Sequence, residues 1–131
     1  MSFNGKVLLV DDEPHIRKYV SVLLRTLGSP IIFEATNGRE AVELFERERP
    51  DLTLLDVNMP VQDGLETLPL LLAIDPDAVI VMLTSLTTRQ IVEEAAQHGA
   101  TSYLRKDLPR DELAAAIREI ITTSFEPDAD E

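Results

Sequence analysis

Short apolar segments alternate along the chain with longer segments in which apolar residues recur every three or four positions. A run such as Leu52–Leu55 excludes water from both of its faces, which is typical of a strand buried in a parallel sheet. The segment that contains Val20, Leu23 and Leu24 has the spacing of an amphipathic helix. The pattern predicts five strands, at Lys6–Val10, Ile31–Ala35, Leu52–Leu55, Val79–Leu83 and Thr101–Leu104.

Helix boundaries are indicated by capping and breaking residues. Pro14 suits the first turn of the first helix, because the N–H that it lacks would have no partner there. Asn37 and Glu40 have the spacing of a helix cap and its reciprocal acid, and Thr87 and Gln90 repeat that spacing. We therefore expect the second and fourth helices to begin at these pairs.

Each predicted helix carries an apolar stripe, although the third helix, at Leu65–Ile74, contains Pro69, which would remove one backbone hydrogen bond and bend it. For the other four helices we expect these buried residues: Ile16, Val20, Leu23, Leu24 and Leu27; Ala41, Leu44 and Phe45; Ile91, Val92, Ala95 and Ala96; Leu113, Ile117, Ile120 and Ile121. Gly28 and Gly99 are expected to end the first and fourth helices.

Five strands alternating with five helices predict an α/β fold, with a parallel sheet covered by helices on both faces and right-handed crossovers. The chain has 131 residues, of which 44% are hydrophobic, and this is enough for one domain with its own core. We expect that domain to span residues 1–123. The acidic, proline-containing segment 124–131 is expected to be a disordered tail, and a solubilising role is equally consistent.

The formal net charge is −12, from 24 acidic and 12 basic residues. This disfavours sequence-independent nucleic-acid binding and is compatible with cations or with a partner that has a basic surface. There is no cysteine, no apolar run long enough to span a membrane, and no signal-peptide pattern, so a cytoplasmic protein is the simplest expectation. Neither histidine is spaced from another residue in a way that suggests a metal site or a catalytic pair. Both are expected at the surface: His15 and His98.

Polar side chains follow four of the five predicted strands. Asp11–Asp12, Asp56, Thr84 and Lys106 come at or directly after the ends of strands one, three, four and five. In a parallel sheet these ends lie at one edge, where ligands bind in open α/β folds. At an effective dielectric near 20, two carboxylates about 5 Å apart repel by roughly 3 kcal/mol. A lysine and a divalent cation would relieve that repulsion, and hard oxygen ligands favour Mg²⁺ over zinc.

These residues resemble the receiver domain of two-component response regulators over about residues 5–122, in a single-domain, chemotaxis-regulator-like form. The matching segments are Asp11-Asp12, Asp56-Val57-Asn58-Met59-Pro60 with Asp63-Gly64, Thr84, and Gly99 to Lys106. The resemblance implies a flavodoxin-like, doubly wound sheet with strand order 2-1-3-4-5.

The resemblance also implies that Asp56 is the phosphoryl acceptor. The Asp11–Asp12 pair, Asp56 and the main-chain carbonyl of Asn58 would hold Mg²⁺, while Thr84 and Lys106 would bind the transferred phosphoryl oxygens. Phosphoryl transfer needs mainly alignment and charge stabilisation, which these groups can supply. The protein would not be an enzyme in the usual sense, because it would assist only its own phosphorylation and dephosphorylation.

A switch and two kinds of partner are implied in the same way. On phosphorylation Thr84 would move toward the phosphoryl group and Tyr103 would rotate inward, which would re-form the surface of the fourth helix, fifth strand and fifth helix. The phosphodonor would be a histidine kinase or a histidine phosphotransfer protein, and a downstream protein target would bind the re-formed face. Nucleic acid and membrane are not expected partners.

The sequence departs from the family pattern after Lys106. Asp107 stands where proline with a cis bond is common, and we expect a trans bond because a cis bond before a non-proline residue costs about 3 kcal/mol. Ser85 replaces a frequent alanine and is still small. Asn58 and Leu86 occupy the variable positions that tune the phosphoryl lifetime in the family.

Simpler interpretations of the same residues exist. Asp11–Asp12 alone would fit a helix cap, Thr84 a strand residue, Tyr103 a half-buried strand aromatic, and Lys106 a surface lysine. Their joint occurrence favours the site.

Three other functions are alternatives for a chain of this pattern. An aspartyl phosphatase needs a second acid two residues after the nucleophile, where this chain has Asn58. A flavin or nucleotide module needs a phosphate-cradling turn after the first strand, where Asp11-Asp12-Glu13 would repel phosphate. A phosphoryl sink in a relay fits the same residues as the leading hypothesis. A piece of a longer regulator would have the same sequence.

Overall fold

The computed structural model describes residues 2–85 and 88–125, and within them the strands form one parallel sheet in the order β2-β1-β3-β4-β5. The strands are β1 (Lys6–Val10), β2 (Ile31–Ala35), β3 (Leu52–Leu55), β4 (Val79–Thr84) and β5 (Ser102–Arg105). The predicted architecture and strand order are confirmed. The first three strands have the predicted bounds, β4 extends one residue further, and β5 begins and ends one residue later.

Five helices connect the strands and cover both faces of the sheet. They are α1 (Pro14–Arg25), α2 (Gly38–Glu48), α3 (Gly64–Ile74), α4 (Arg89–Gln97) and α5 (Arg110–Phe125). Within the described part of the chain, no helix has both the length and the apolar character needed to cross a membrane.

The core has two halves because successive side chains of a strand point to opposite faces. Val7 and Leu9 of β1 pack with the buried residues of α1 and α5, whereas Leu8 and Val10 pack with those of α2, α3 and α4. This two-sided burial explains why the central strands are continuously apolar.

The predicted start of α2 is confirmed except for its reciprocal bond, and the predicted start of α4 needs adjustment. Asn37 caps α2 as expected, since its Oδ1 accepts the backbone N–H of Glu40 at 3.0 Å. The Glu40 carboxylate does not return to Asn37. It accepts the N–H of Thr36 at 2.7 Å. The N-cap of α4 is Thr88, whose hydroxyl accepts the Ile91 N–H, so α4 does not begin with a Thr87 cap as predicted; Thr87 itself lies outside the described residues.

The predicted buried stripe of α4 is partly wrong. Ala95 is buried and Ile91 is partly buried, but Val92 is 38% exposed and Ala96 is also exposed. Helix α4 packs near β5, which is the edge strand of the sheet. Within the described part of the chain, no further strand lies under the outer part of the apolar face of α4. The other stripes are buried as predicted, except that three residues are only partly buried: Ile16, Leu44 and Ile120.

Pro69 lies inside α3, which continues to Ile74. Because proline has no N–H, the Leu65 carbonyl lacks its usual intrahelical donor. The start of the helix is strengthened by a capping box that the sequence interpretation missed, in which Asp63 and Glu66 bond each other's backbone N–H at 2.8 and 3.1 Å.

Candidate functional site

The polar residues that follow the strands are fixed at one edge of the sheet by backbone hydrogen bonds. The Asp56 N–H donates to the Val10 carbonyl at 3.0 Å, and the Lys106 N–H donates to the Thr84 carbonyl at 3.0 Å. These bonds continue the parallel ladders for one residue beyond β3 and β5. The side chains after β1, β3 and β5 are thereby directed into one site, as the sequence predicts.

Lys106 is the centre of this site. Its Nζ lies 2.6 Å from Asp11 Oδ2, 3.0 Å from Asp56 Oδ2 and 3.3 Å from Glu13 Oε1. The Lys106 side chain is 9% exposed, and Asp11 and Asp56 are 2% and 3% exposed. A buried ion pair of this kind fixes geometry, because an unpaired charge at the same depth would be strongly unfavourable. Lys106 is therefore not an ordinary surface lysine.

Three carboxylates form a compact acidic cluster. Asp11, Asp12 and Asp56 each offer one oxygen, and these oxygens all lie within 4.8 Å of one another. Asp11 and Asp56 are buried while Asp12 is exposed, so the cluster opens to solvent on one side. Hard oxygen donors with room for water are what Mg²⁺ prefers. The residues present fit a hard divalent cation.

The acidic pair is not used to cap α1. The N-cap of α1 is Glu13, which makes no side-chain capping bond, and Pro14 occupies the first turn. Asp11 instead turns the loop, since its Oδ1 accepts the N–H of Glu13 at 2.9 Å. The capping interpretation of Asp11–Asp12 is wrong, and both carboxylates lie in the acidic cluster.

Burial and crowding raise the pKa of Asp56 to about 6. Burial is the larger cause and the negative charge of Asp11 is the second, while the hydrogen bond from Lys106 opposes both. For Lys106, burial lowers the pKa, but the hydrogen bonds to Asp11 and Asp56 outweigh it and the net shift is upward. Several carboxylates together stabilise the charged form of the Lys106 ammonium, while the single ammonium compensates each carboxylate only in part. The upward shifts of the pKa values of Lys106 and Asp56 are therefore consistent.

Thr84 and Tyr103 lie beside the acidic cluster on β4 and β5. Thr84 is fully buried at the end of β4. Tyr103 is partly buried against the core, and its hydroxyl is buried with no hydrogen-bond partner among the described residues. Burial, followed by the negative charge of Asp56, raises the pKa of Tyr103. Tyr103 is therefore a half-buried strand aromatic, which both the simpler interpretation and a switching role allow, and its switching role stays a prediction.

The loop between β3 and α3 closes tightly under Asp56. The Gly64 N–H donates to the Val57 carbonyl at 2.8 Å, and a Cβ at Gly64 would lie 2.0 Å from the Asp56 carbonyl oxygen. A larger residue at 64 would therefore displace the backbone that carries Asp56. Val61 in the same loop has a φ of 69°, which is strained for a β-branched residue, and Asn58 is exposed.

Asp107 does not add free negative charge to the site. Its carboxylate accepts two hydrogen bonds from the Arg105 guanidinium, at 2.9 and 2.5 Å, and these bonds lower the pKa of Asp107. No cis peptide bond occurs among the described residues, so the bond between Lys106 and Asp107 is trans as expected. Leu86, the second lifetime-tuning position, lies outside the described residues.

Sequence reasoning missed two residues beside the site. Glu13 is a third acid in the same loop and contacts Lys106, and its position directly after Asp11-Asp12 was the available signal. Arg17 donates to the Asp11 carbonyl, a contact that no local pattern indicates. His15 and His98 are exposed as predicted.

Comparison with known proteins identifies the class. Residues 7–118 match the family model of the response regulator receiver domain. The transcriptional regulatory protein PdtaR of Mycobacterium tuberculosis is 41% identical over 86% of this chain, which spans only 54% of that protein. Sporulation initiation phosphotransferase F of Bacillus subtilis is 31% identical over 90% of this chain and 94% of that protein. A chain in the crystal structure of a CheX–CheY–BeF3–Mg²⁺ complex from Borrelia burgdorferi overlays with a TM-score of 0.82, at 29% identity over 92% of this chain and 88% of that chain.

The chain belongs to the response regulator receiver family. It is a phosphoacceptor response regulator domain of two-component signal transduction, with the CheY-like, flavodoxin-type strand order.

Proposed function

We propose that Asp56 accepts the phosphoryl group, and that the donor is a phosphohistidine on a sensor kinase or a histidine phosphotransfer protein. The observation that carries this assignment is the contact of the Lys106 ammonium with both Asp56 and Asp11, at 3.0 and 2.6 Å. A buried carboxylate beside a buried ammonium has a nucleophilic oxygen and a group that neutralises the incoming charge.

The proposed step is a direct phosphoryl transfer. An Asp56 oxygen forms a bond to phosphorus while the bond from phosphorus to the imidazole nitrogen breaks, and the leaving nitrogen keeps the bonding electron pair. Lys106 and the hydroxyl of Thr84 bind the equatorial oxygens, on which charge is spread in the transition state. The other ring nitrogen of the phosphohistidine carries a proton during the transfer, so the products are an acyl phosphate on Asp56 and a neutral histidine on the donor.

Asp11, Asp12, Asp56 and the main-chain carbonyl of Asn58 would hold Mg²⁺. The bound ion would supply further neutralisation of the phosphoryl oxygens. The carboxylate cluster supports this ligand set, since its oxygens lie within 4.8 Å of one another and one of the three residues is exposed. The crystal structure of the CheX–CheY complex with BeF3 and Mg²⁺ gives independent support.

The output is proposed to pass through Thr84 and Tyr103 to the face formed by α4, β5 and α5, where a downstream protein binds. Tyr103 supports this because its hydroxyl is buried and unpaired within the described residues, so its position can respond to changes at Asp56. The face has grooves of about 210 and 330 Å³ on the two sides of β5, and the exposed Val92 lines the first. We place this signalling in the cytoplasm, where sensor kinases present their phosphohistidines.

The acceptor assignment is tested by incubating the protein with Mg²⁺ and acetyl phosphate and measuring its intact mass. We expect one added phosphoryl group on the wild type and none on Asp56→Asn. The matched control is Asp77→Asn, which makes the same chemical change at an exposed carboxylate in the turn between α3 and β4. Labelling of Asp56→Asn at the wild-type level would mean that another residue is the acceptor.

A further inference from the structure

Arg17 joins the acidic loop to the edge of the sheet. It lies in the first turns of α1, and its side chain is only 15% exposed. Its Nη1 donates to the main-chain carbonyl of Asp11 at 2.7 Å, and its Nε donates to Glu34 Oε1 at 2.8 Å. The guanidinium therefore spans from the last residues of β2 to the backbone of the loop that carries the acidic pair.

The backbone N–H and the backbone carbonyl of Asp11 are both linked to β2. The Asp11 N–H donates directly to the Ala35 carbonyl at 3.1 Å, while the Asp11 carbonyl is held by Arg17, which is itself held by the neighbouring Glu34. Arg17 suits this role because its planar fork of donors can satisfy a carbonyl and a carboxylate at once in fixed directions.

Beyond these links to β2, the Asp11 side chain binds Lys106 and the Glu13 N–H, and these contacts fix the carboxylate of Asp11 and not its carbonyl. Glu13, the N-cap of α1, makes no capping bond with its side chain, which instead approaches Lys106, and Pro14 has no N–H to give. The carboxylates of Asp11 and Asp12 must nevertheless stay close together at a site where they repel. A residue that hydrogen-bonds to a metal-ligating residue, without binding the metal itself, usually has a large effect on metal affinity.

We propose that Arg17, oriented by Glu34, is a positioning residue for the cation site, acting through the backbone of Asp11. This inference rests on the proposed Mg²⁺ site. The change in Mg²⁺ affinity expected on removing Arg17 is opposite in sign to the change that its charge alone would cause. Removing a cation near an acidic cluster would by itself strengthen Mg²⁺ binding, whereas removing a positioning group weakens it.

The test measures the Mg²⁺ dissociation constant by isothermal titration calorimetry for Arg17→Gln, Arg17→Lys and Glu34→Gln, at a temperature where circular dichroism shows each variant to be folded. We expect Arg17→Gln to bind Mg²⁺ about 10-fold more weakly. Arg17→Lys keeps the charge but not the two-directional fork, so it should be weakened similarly. Glu34→Gln should show a smaller loss, because the guanidinium remains but is less well oriented.

The matched control is Arg89→Gln, which removes an arginine from a pair of similar length, 2.9 Å to Glu93, on the exposed face of α4. Its Mg²⁺ affinity should stay within about twofold of the wild type. Affinity in Arg17→Gln equal to or tighter than the wild type, or full affinity in Arg17→Lys, would overturn the proposal. Should Arg17→Gln fail to fold, Arg17→Lys and Glu34→Gln decide the question.

A second measurement needs no metal. Amide hydrogen exchange of Asp11 in the metal-free protein should be at least about 10-fold faster in Arg17→Gln than in Arg89→Gln, because the loop loses one of its two ties to β2. Unchanged exchange would refute the positioning role. If the wild type bound no Mg²⁺ at all, the proposed metal site would fail, and this exchange measurement would still judge Arg17.

Discussion

The buried carboxylate of Asp56 should make the metal-free protein less stable than it could be, so that Asp56→Asn is stabilising. The pKa of Asp56 is raised from 3.8 to about 6, chiefly by burial and then by Asp11. Above that pH Asp56 is ionised in the folded protein. Its charged carboxylate is less favourable there than in the unfolded chain. Asparagine has nearly the same shape and no charge, and Lys106 keeps its contacts with Asp11 and Glu13 in the variant.

The magnitude follows from the pKa shift, which already includes the attraction to Lys106. The rise of the Asp56 pKa from 3.8 to about 6 corresponds to roughly 3 kcal/mol of unfolding free energy. Unfolding entropy of about 2.1 cal/mol/K per residue converts this into a rise in Tm of roughly 10 °C for a chain of 131 residues. We expect a gain of about 2–3 kcal/mol at about pH 7.5 without divalent cations.

The pH dependence has a definite sign. Between 3.8 and about 6 the folded protein binds more protons at Asp56 than the unfolded chain does, so wild-type stability falls as pH rises through this window. The advantage of Asp56→Asn should therefore be complete above about pH 7 and small near pH 4. Saturating Mg²⁺ should also reduce it, because the cation stabilises the wild-type carboxylates.

Urea unfolding followed by circular dichroism, with and without EDTA, measures these differences. Asp77→Asn is the control and should change stability by no more than about 0.5 kcal/mol. The reasoning would be refuted if Asp56→Asn were no more stable than the wild type near neutral pH, or if its gain were equally large near pH 4.

Three further predictions concern the same site. Lys106→Met leaves the Asp11 and Asp56 carboxylates without their ammonium, so we expect a loss of about 3 kcal/mol in urea unfolding and no phosphoryl uptake by mass measurement; normal uptake would contradict the assigned role. Gly64→Ala should lose about 2 kcal/mol or more in the same unfolding assay, because its Cβ would lie 2.0 Å from the Asp56 carbonyl oxygen; wild-type stability would show that the loop can relax. Asp12→Asn should weaken Mg²⁺ binding about 10-fold in calorimetry while changing stability by less than about 0.5 kcal/mol, since Asp12 is exposed; unaltered binding would remove it from the ligand set.

The order and type of the elements could be predicted from the sequence because they depend on local patterns. The apolar runs at Lys6–Val10, Ile31–Ala35 and Leu52–Leu55 gave strand bounds that the structure confirms. The bounds of α4 and β5 were less accurate, and Val92 was wrongly expected to be buried. Burial of that side chain depends on whether another strand lies beneath it, which is a property of the sheet and not of the helix.

What the sequence alone determined is the chemistry at the strand ends, since a parallel arrangement brings the residues that follow all of its strands to one edge. Asp11, Asp56 and Lys106 could be selected for this reason. Only the tertiary structure decided that one ammonium is shared by Asp11, Asp56 and Glu13, and that Arg17 reaches back to the Asp11 carbonyl. Such contacts depend on strand order, register and side-chain reach, which join residues far apart in the chain and leave no periodic mark in the sequence.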